Sequence, residues 1–217
     1  MCNLYTVRKS IDEVAKHFGV SVPIQTNAGA EVFKGQTGVV VREQDGARIM
    51  QSMTWGFPRR LPTMKPGSKP LAVNNVADYA SRFWKASICN PAAHCIIPLT
   101  AFAEAEGPKG AMTRTWFNLK DQPIFAWAGV WRDSAEWGPV YSGLMTDCNE
   151  AIRPVHNRMP VLLHAEEYDQ WLHGSFDDAI AFKERCFPDE LIEVVRTSDP
   201  WVQRRAPTAP VSEGSLL

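Results

Sequence analysis

The chain has 217 residues, 45% of them hydrophobic and 22% charged, with a formal net charge of −1 at pH 7. That balance predicts one domain with a substantial core and argues against broad electrostatic coating of nucleic acid. No run of about 18 apolar residues occurs, and Ser10, Asp12 and Glu13 interrupt the N-terminus before a signal-peptide layout forms, so a cytoplasmic protein without a membrane partner is expected.

The chain opens "MCNLYTV", which places a cysteine second. Ser10-Ile11-Asp12-Glu13 reads as a capping box, and Ile11, Val14, Ala15 and Phe18 follow at helical spacing until Gly19. "TGVVVREQDGARIMQSMTWGF" predicts a hairpin around Asp45-Gly46. The acid-free stretch 58–70 carries Arg59, Arg60, Lys65 and Lys69 among prolines and predicts a basic loop. In "NNVADYASRFWKAS", Val76, Tyr79, Ala80 and Phe83 are spaced for a helix starting just after the asparagines. "HCIIPLTAFAEAEG" reads as one continuous apolar strand, and "TRTWFNLKDQPIFAWAGVWRDS" as a second hairpin turning at 120–123. "VYSGLMTDC", "MPVLLH" and "LIEVV" are further strands, and 165–173 and 175–186 are helical. The final residues, 205–217, lack core formers and are expected to be a disordered tail. Hairpin-connected strands outnumber helices, so a mixed antiparallel α+β domain is favoured over a doubly wound one.

The five cysteines (2, 89, 95, 148 and 186) form no CxxC pair and read as free thiols. Cys89, His94 and Cys95 lack metal-ligand spacing, so no metal is expected, and no motif calls for a cofactor. The nucleophile elbow, phosphate loop, dinucleotide fingerprint and HExxH motif are all missing. Any chemistry must come from dispersed polar residues in apolar surroundings: Asn74, Asn75, Glu104 and His156. Each has a plain structural alternative. Asn75 would cap its helix, Glu104 would sit on an exposed strand end, His156 would be a satisfied loop histidine, and Trp55 would be core.

In chain order, "MCNLY", "TWGF", "NNVADYASRFW", "HCIIPLTAFAEA", "FAWAGVW", "MTDCN" and "VHNRMPVLL" together resemble the SOS-response-associated peptidase (SRAP) family, whose members shield abasic sites in single-stranded DNA. The resemblance implies a single SRAP-like domain over 2–204, with mostly antiparallel strands in a curved or barrel-like sheet and flanking helices. It implies removal of Met1 to make Cys2 the terminal nucleophile, catalytic roles for Cys2, Asn75, Glu104 and His156, and a phosphate contact by Arg158. It favours Asn75 over Asn74, because "NVADYASRFW" matches the family pattern without a gap. The implied partner is abasic single-stranded DNA, bound by a monomer in the DNA damage response, in the nucleoid if the source is bacterial.

An N-terminal cysteine suits this chemistry. Its amine and thiol both have ordinary pKa values of about 8 to 8.5, and together they convert an aldehyde into a five-membered thiazolidine. Trp55 would offer a face to a neighbouring base. The sequence departs from the family pattern at Ala77, where an arginine is usual, at Ala105, where an aromatic is usual, and at His94, where an arginine is common. Arg82 and the basic loop are the candidates to compensate for Ala77. A cysteine amidohydrolase using Cys2, and a non-catalytic single-stranded DNA-binding module, remain alternatives at this level.

Overall fold

The computed structural model describes residues 2–202; the tail expected at 205–217 lies outside them. Strand β1 (Leu4–Thr6) leads into helix α1 (Ile11–His17). Ser10 Oγ accepts from the Glu13 amide at 3.2 Å while the Glu13 carboxylate accepts from the Ser10 amide at 2.9 Å, completing the expected capping box. After β2 (Glu31–Phe33), strands β3 (Thr37–Gln44) and β4 (Ala47–Trp55) form the expected hairpin. Asp45 and Gly46 turn it with φ of 53° and 75°, the left-handed pair that a two-residue turn needs. Strands β5 (Phe57–Arg59) and β6 (Leu71–Val73) pair across the mouth of the basic stretch. Arg60 is tied down there by both oxygens of Glu136, at 3.0 and 3.2 Å.

Three expectations are corrected in the middle of the chain. Asn75 starts no helix: β7 (Asn75–Val76) pairs in parallel with a later strand, and helix α2 (Arg82–Ile88) begins after its own cap, Ser81. The apolar run 94–106 is two strands, β8 (His94–Leu99) and β9 (Ala101–Glu106), which join different sheets. The break falls at Thr100, whose amide donates to the Thr6 carbonyl at 2.7 Å. Strands β10 (Thr113–Leu119) and β11 (Phe125–Ser134) form no hairpin ladder with each other, because each finds its partners in a different sheet. The chain continues through β12 (Gly138–Asp147), β13 (Arg158–Pro160), β14 (Leu162–Leu163), α3 (Tyr168–His173), α4 (Phe176–Glu184) and β15 (Ile192–Pro200).

The fold is α+β and mostly antiparallel. Five strands run in the order β15-β10-β9-β1-β2. In the larger sheet, the neighbours β12-β4-β3-β8-β11 close on themselves through β11–β12 pairing, giving a ring. Side chains alternate along each strand, so the ring has two faces. Val39, Val41, Ile96, Ala128 and Leu144 meet helices α1 to α4 on one face. Val40, Cys95, Ile97, Trp127 and Tyr141 face the other way, where Tyr5, Phe102 and Phe117 of the five-stranded sheet pack against them.

Candidate active site

Cys2 lies just ahead of β1 and is fully buried. Its carbonyl accepts hydrogen bonds from Asn75 Nδ2 at 2.8 Å and from Asn74 Nδ2 at 2.9 Å. Those asparagines are placed by β12: Asn75 lies opposite Gly143, and the Gly143 amide donates to the Asn74 carbonyl at 3.1 Å. Gly143 is required there, because a Cβ would sit 2.0 Å from the Trp127 ring. The Asn75 side-chain oxygen is buried and has no hydrogen-bond partner among the described residues, so it is available to a donor.

Glu104 comes to the same place through sheet register. Leu4 pairs with Ala103 and Tyr5 with Phe102 across β1 and β9. Glu104 shares the face of Phe102, which packs in the same core cluster as Cys2 and Tyr5. It is 4% exposed, which excludes the exposed strand end. Burial pushes its carboxyl up to about 7, against the pull of the chain's terminal ammonium. Burial is also the largest cause raising the Cys2 thiol, with the charge of Glu104 second. The Tyr5 and Tyr141 hydroxyls bond to each other beside Cys2 in the same buried layer.

His156 is half-buried and follows a turn in which the Asn149 side chain accepts from the Ile152 amide at 3.2 Å and donates to the Phe187 carbonyl at 3.0 Å. Burial is the main cause lowering its pKa and the terminal ammonium is the next, so the imidazole is neutral at pH 7 and lies within the electrostatic reach of the terminus. Its Nδ1 is 3.0 Å from the Arg158 amide nitrogen and 3.2 Å from the Arg158 carbonyl oxygen. Nδ1 can therefore accept from one or donate to the other, and both tautomers have a backbone partner. That arrangement suits a group that gains and loses a proton.

The structure thus brings Asn75 to the Cys2 carbonyl and Glu104 within electrostatic reach of the Cys2 thiol, while His156 feels the terminal ammonium one residue ahead of Cys2. Arg158 begins β13 opposite Asp147, half-buried and in no ion pair among the described residues. Arg82 stands exposed at the start of α2. Trp55 is a correction. It is 0% exposed, with ring centroids 4.9 Å from Tyr5 and 5.9 Å from Trp127, and so it offers no face to a base. Sequence reasoning named Asn74 as a candidate and ranked it behind Asn75; the structure places both amides on the Cys2 carbonyl. All five cysteines are free thiols, and no cluster of three or more metal-ligating side chains occurs among the described residues.

The model of the SOS response associated peptidase (SRAP) family matches residues 1–199. Among curated relatives, the abasic site processing protein YoqW of Bacillus subtilis (strain 168) is 26% identical over 190 residues, covering 82% of this chain and 83% of its own. The abasic site processing protein YobE of the same organism is 24% identical over 193 residues, with 82% and 84% covered. Among solved structures, a Bordetella bronchiseptica protein superimposes with a TM-score of 0.76 at 20% identity, over 90% of this chain and 99% of that one. A Bacteroides thetaiotaomicron protein gives a TM-score of 0.69 at 18% identity, over 90% and 91%. These two structures establish a shared fold.

Proposed function

The chain belongs to the SRAP family, and on that premise we propose that it captures abasic sites in single-stranded DNA covalently, through the amine and thiol of Cys2 once Met1 has been removed. The observation that carries this reading is the convergence of Asn75 and Glu104 on Cys2, the residue that Met1 removal would make terminal. The two relatives named as abasic site processing proteins support the same substrate.

The ring-closed abasic sugar first opens to its C1′ aldehyde. His156 moves the protons of that step, switching Nδ1 between the Arg158 amide and carbonyl. The Cys2 amine then adds to C1′, and the resulting carbinolamine loses water to give an imine. Glu104, held near pH 7 by burial, is protonated often enough to assist loss of that water and ionised often enough to take up a proton afterwards. The thiol sulfur adds to the imine carbon while its proton passes to nitrogen. Aldehyde and aminothiol thus yield a thiazolidine and one water, with no change of oxidation state. The unpartnered Asn75 oxygen accepts from the sugar hydroxyl or the amine, and Arg158 pairs with a flanking phosphate. The reaction consumes the protein, so one turnover is expected. Glu104 and His156 would also support Cys2 in releasing the residue ahead of it, the peptidase-type step.

The test is incubation of mature protein with a single-stranded oligonucleotide bearing one abasic site, followed by a heated denaturing gel. A stable adduct is expected with the wild type and none with Cys2→Ala. An adduct of equal yield from Cys2→Ala would overturn the reading.

A further inference from the structure

We propose that Asn74 is a positioning residue for Cys2, forming with Asn75 a two-donor clamp that aims the mature amine and thiol. This rests on the reading of Cys2 as the reactive terminus. Side chains of consecutive residues in an extended strand point to opposite faces, yet these two amides meet on one oxygen at 2.9 and 2.8 Å. The convergence occurs where the chain enters β7, with the Asn74 backbone held by Gly143 and the Asn75 backbone paired beside it. Asn74 is 6% exposed, and its Nδ2 also lies 3.4 Å from Asn3 Oδ1, so it touches the first two residues of the mature chain.

The clamp is placed where the sheet stops helping. The β1 ladders begin at Leu4, and Cys2 lies two residues beyond them, where a chain end ordinarily frays. Two donors hold the Cys2 carbonyl, and with it the peptide plane that carries the α-carbon, which fixes the point from which the amine and thiol project relative to the sheet. They also draw electron density from the carbonyl and the adjoining α-carbon. The amine is then less basic, and a larger fraction is unprotonated and nucleophilic at neutral pH. The donors sit on the carbonyl of Cys2. The bond cleaved in releasing Met1 involves the preceding carbonyl, so this clamp is no oxyanion hole for processing; it serves the mature residue.

The experiment reads the Cys2 aminothiol without DNA. Mature wild type, Asn74→Ala and Asn74→Leu are treated with glyoxylate, a small aldehyde, and thiazolidine formation is followed by intact mass from about pH 6 to about pH 9. Both variants should react roughly tenfold more slowly at neutral pH, with the midpoint of the rate profile displaced to higher pH. A merely structural role would lower the melting temperature and leave the midpoint in place, and that result overturns the proposal, as do unchanged rates. If Asn74→Ala does not fold, Asn74→Leu, which fills the same space without a donor and adds no charge, decides the matter by the same midpoint. Glyoxylate capture by a wild type that forms no adduct with abasic DNA would overturn the proposed substrate and leave the clamp standing. A wild type that captures neither overturns both.

Discussion

The two faces of the ring sheet differ in how they satisfy the polar groups they bury. On the helix-covered face, burial accompanies close packing and satisfied polar groups. The His94 ring lies 2.8 Å from the Trp171 carbonyl and 2.9 Å from the Ile88 carbonyl and stacks on Trp171 at 4.3 Å, while Trp171 Nε1 donates to the Cys95 carbonyl at 2.8 Å. Burial raises pKa values on both faces, those of Tyr79 and Tyr168 on the helix side and those of Cys2, Tyr5, Tyr141 and Glu104 on the other. It is the second face, however, that leaves the Asn75 oxygen and Trp55 Nε1 without partners among the described residues. An unsatisfied buried polar atom costs stability. Its location beside Cys2 is where the proposed chemistry would draw on that cost.

The sharpest way to break this comparison is to damage each face and ask what is lost. Trp171→Ala on the helix side removes a fully buried ring and should cost about 4 kcal/mol, lowering the melting temperature by roughly 8–16 °C. The rate of adduct formation per folded molecule should hold. A selective loss of rate would erase the distinction between the faces.

Glu104→Gln on the other side should slow adduct formation about a hundredfold without lowering the melting temperature, since the substitution removes a buried ionisable group. The pH dependence sharpens the point. The folded pKa of Glu104 is raised above its unfolded value, so the folded state holds the proton more tightly and stability falls as pH rises from about 4.5 through about 7. Thermal melts across that window should slope downward in wild type and less so in Glu104→Gln. Arg158→Ala should have the smallest effect. It should weaken binding to single-stranded DNA, reduce the slope of log affinity against log salt by about 0.7, and leave the rate at saturating DNA unchanged.

Local chemistry was readable where local interactions decide the structure. Ser10 and Glu13 cap each other within one turn, and Asp45-Gly46 sets the φ values of its own hairpin. Reading failed where tertiary pairing decides. Val76, Tyr79, Ala80 and Phe83 are spaced for a helix, but β12 claims Asn75 and Val76 as a strand. Nothing in 94–106 marks Thr100 as a break, because its partner, Thr6, is remote in sequence. The site followed the same rule. Cys2, Asn75, Glu104 and His156 came from the family resemblance, whereas the register that unites Glu104 with Cys2 and the amide of Asn74 on the Cys2 carbonyl are properties of the fold. Trp55 shows the converse: an aromatic in a matching motif is as readily core as platform.

The central claim is that both functional groups of one residue, the Cys2 amine and the Cys2 thiol, are consumed together. Peptide mapping of the purified DNA adduct by mass spectrometry, after treatment with a thiol-alkylating reagent, tests it directly. The account predicts the sugar remnant on the peptide that begins at Cys2, at the mass of aldehyde addition less one water, with the Cys2 sulfur unalkylated. A remnant on another residue, or on a Cys2 whose sulfur still takes up the reagent, would contradict it.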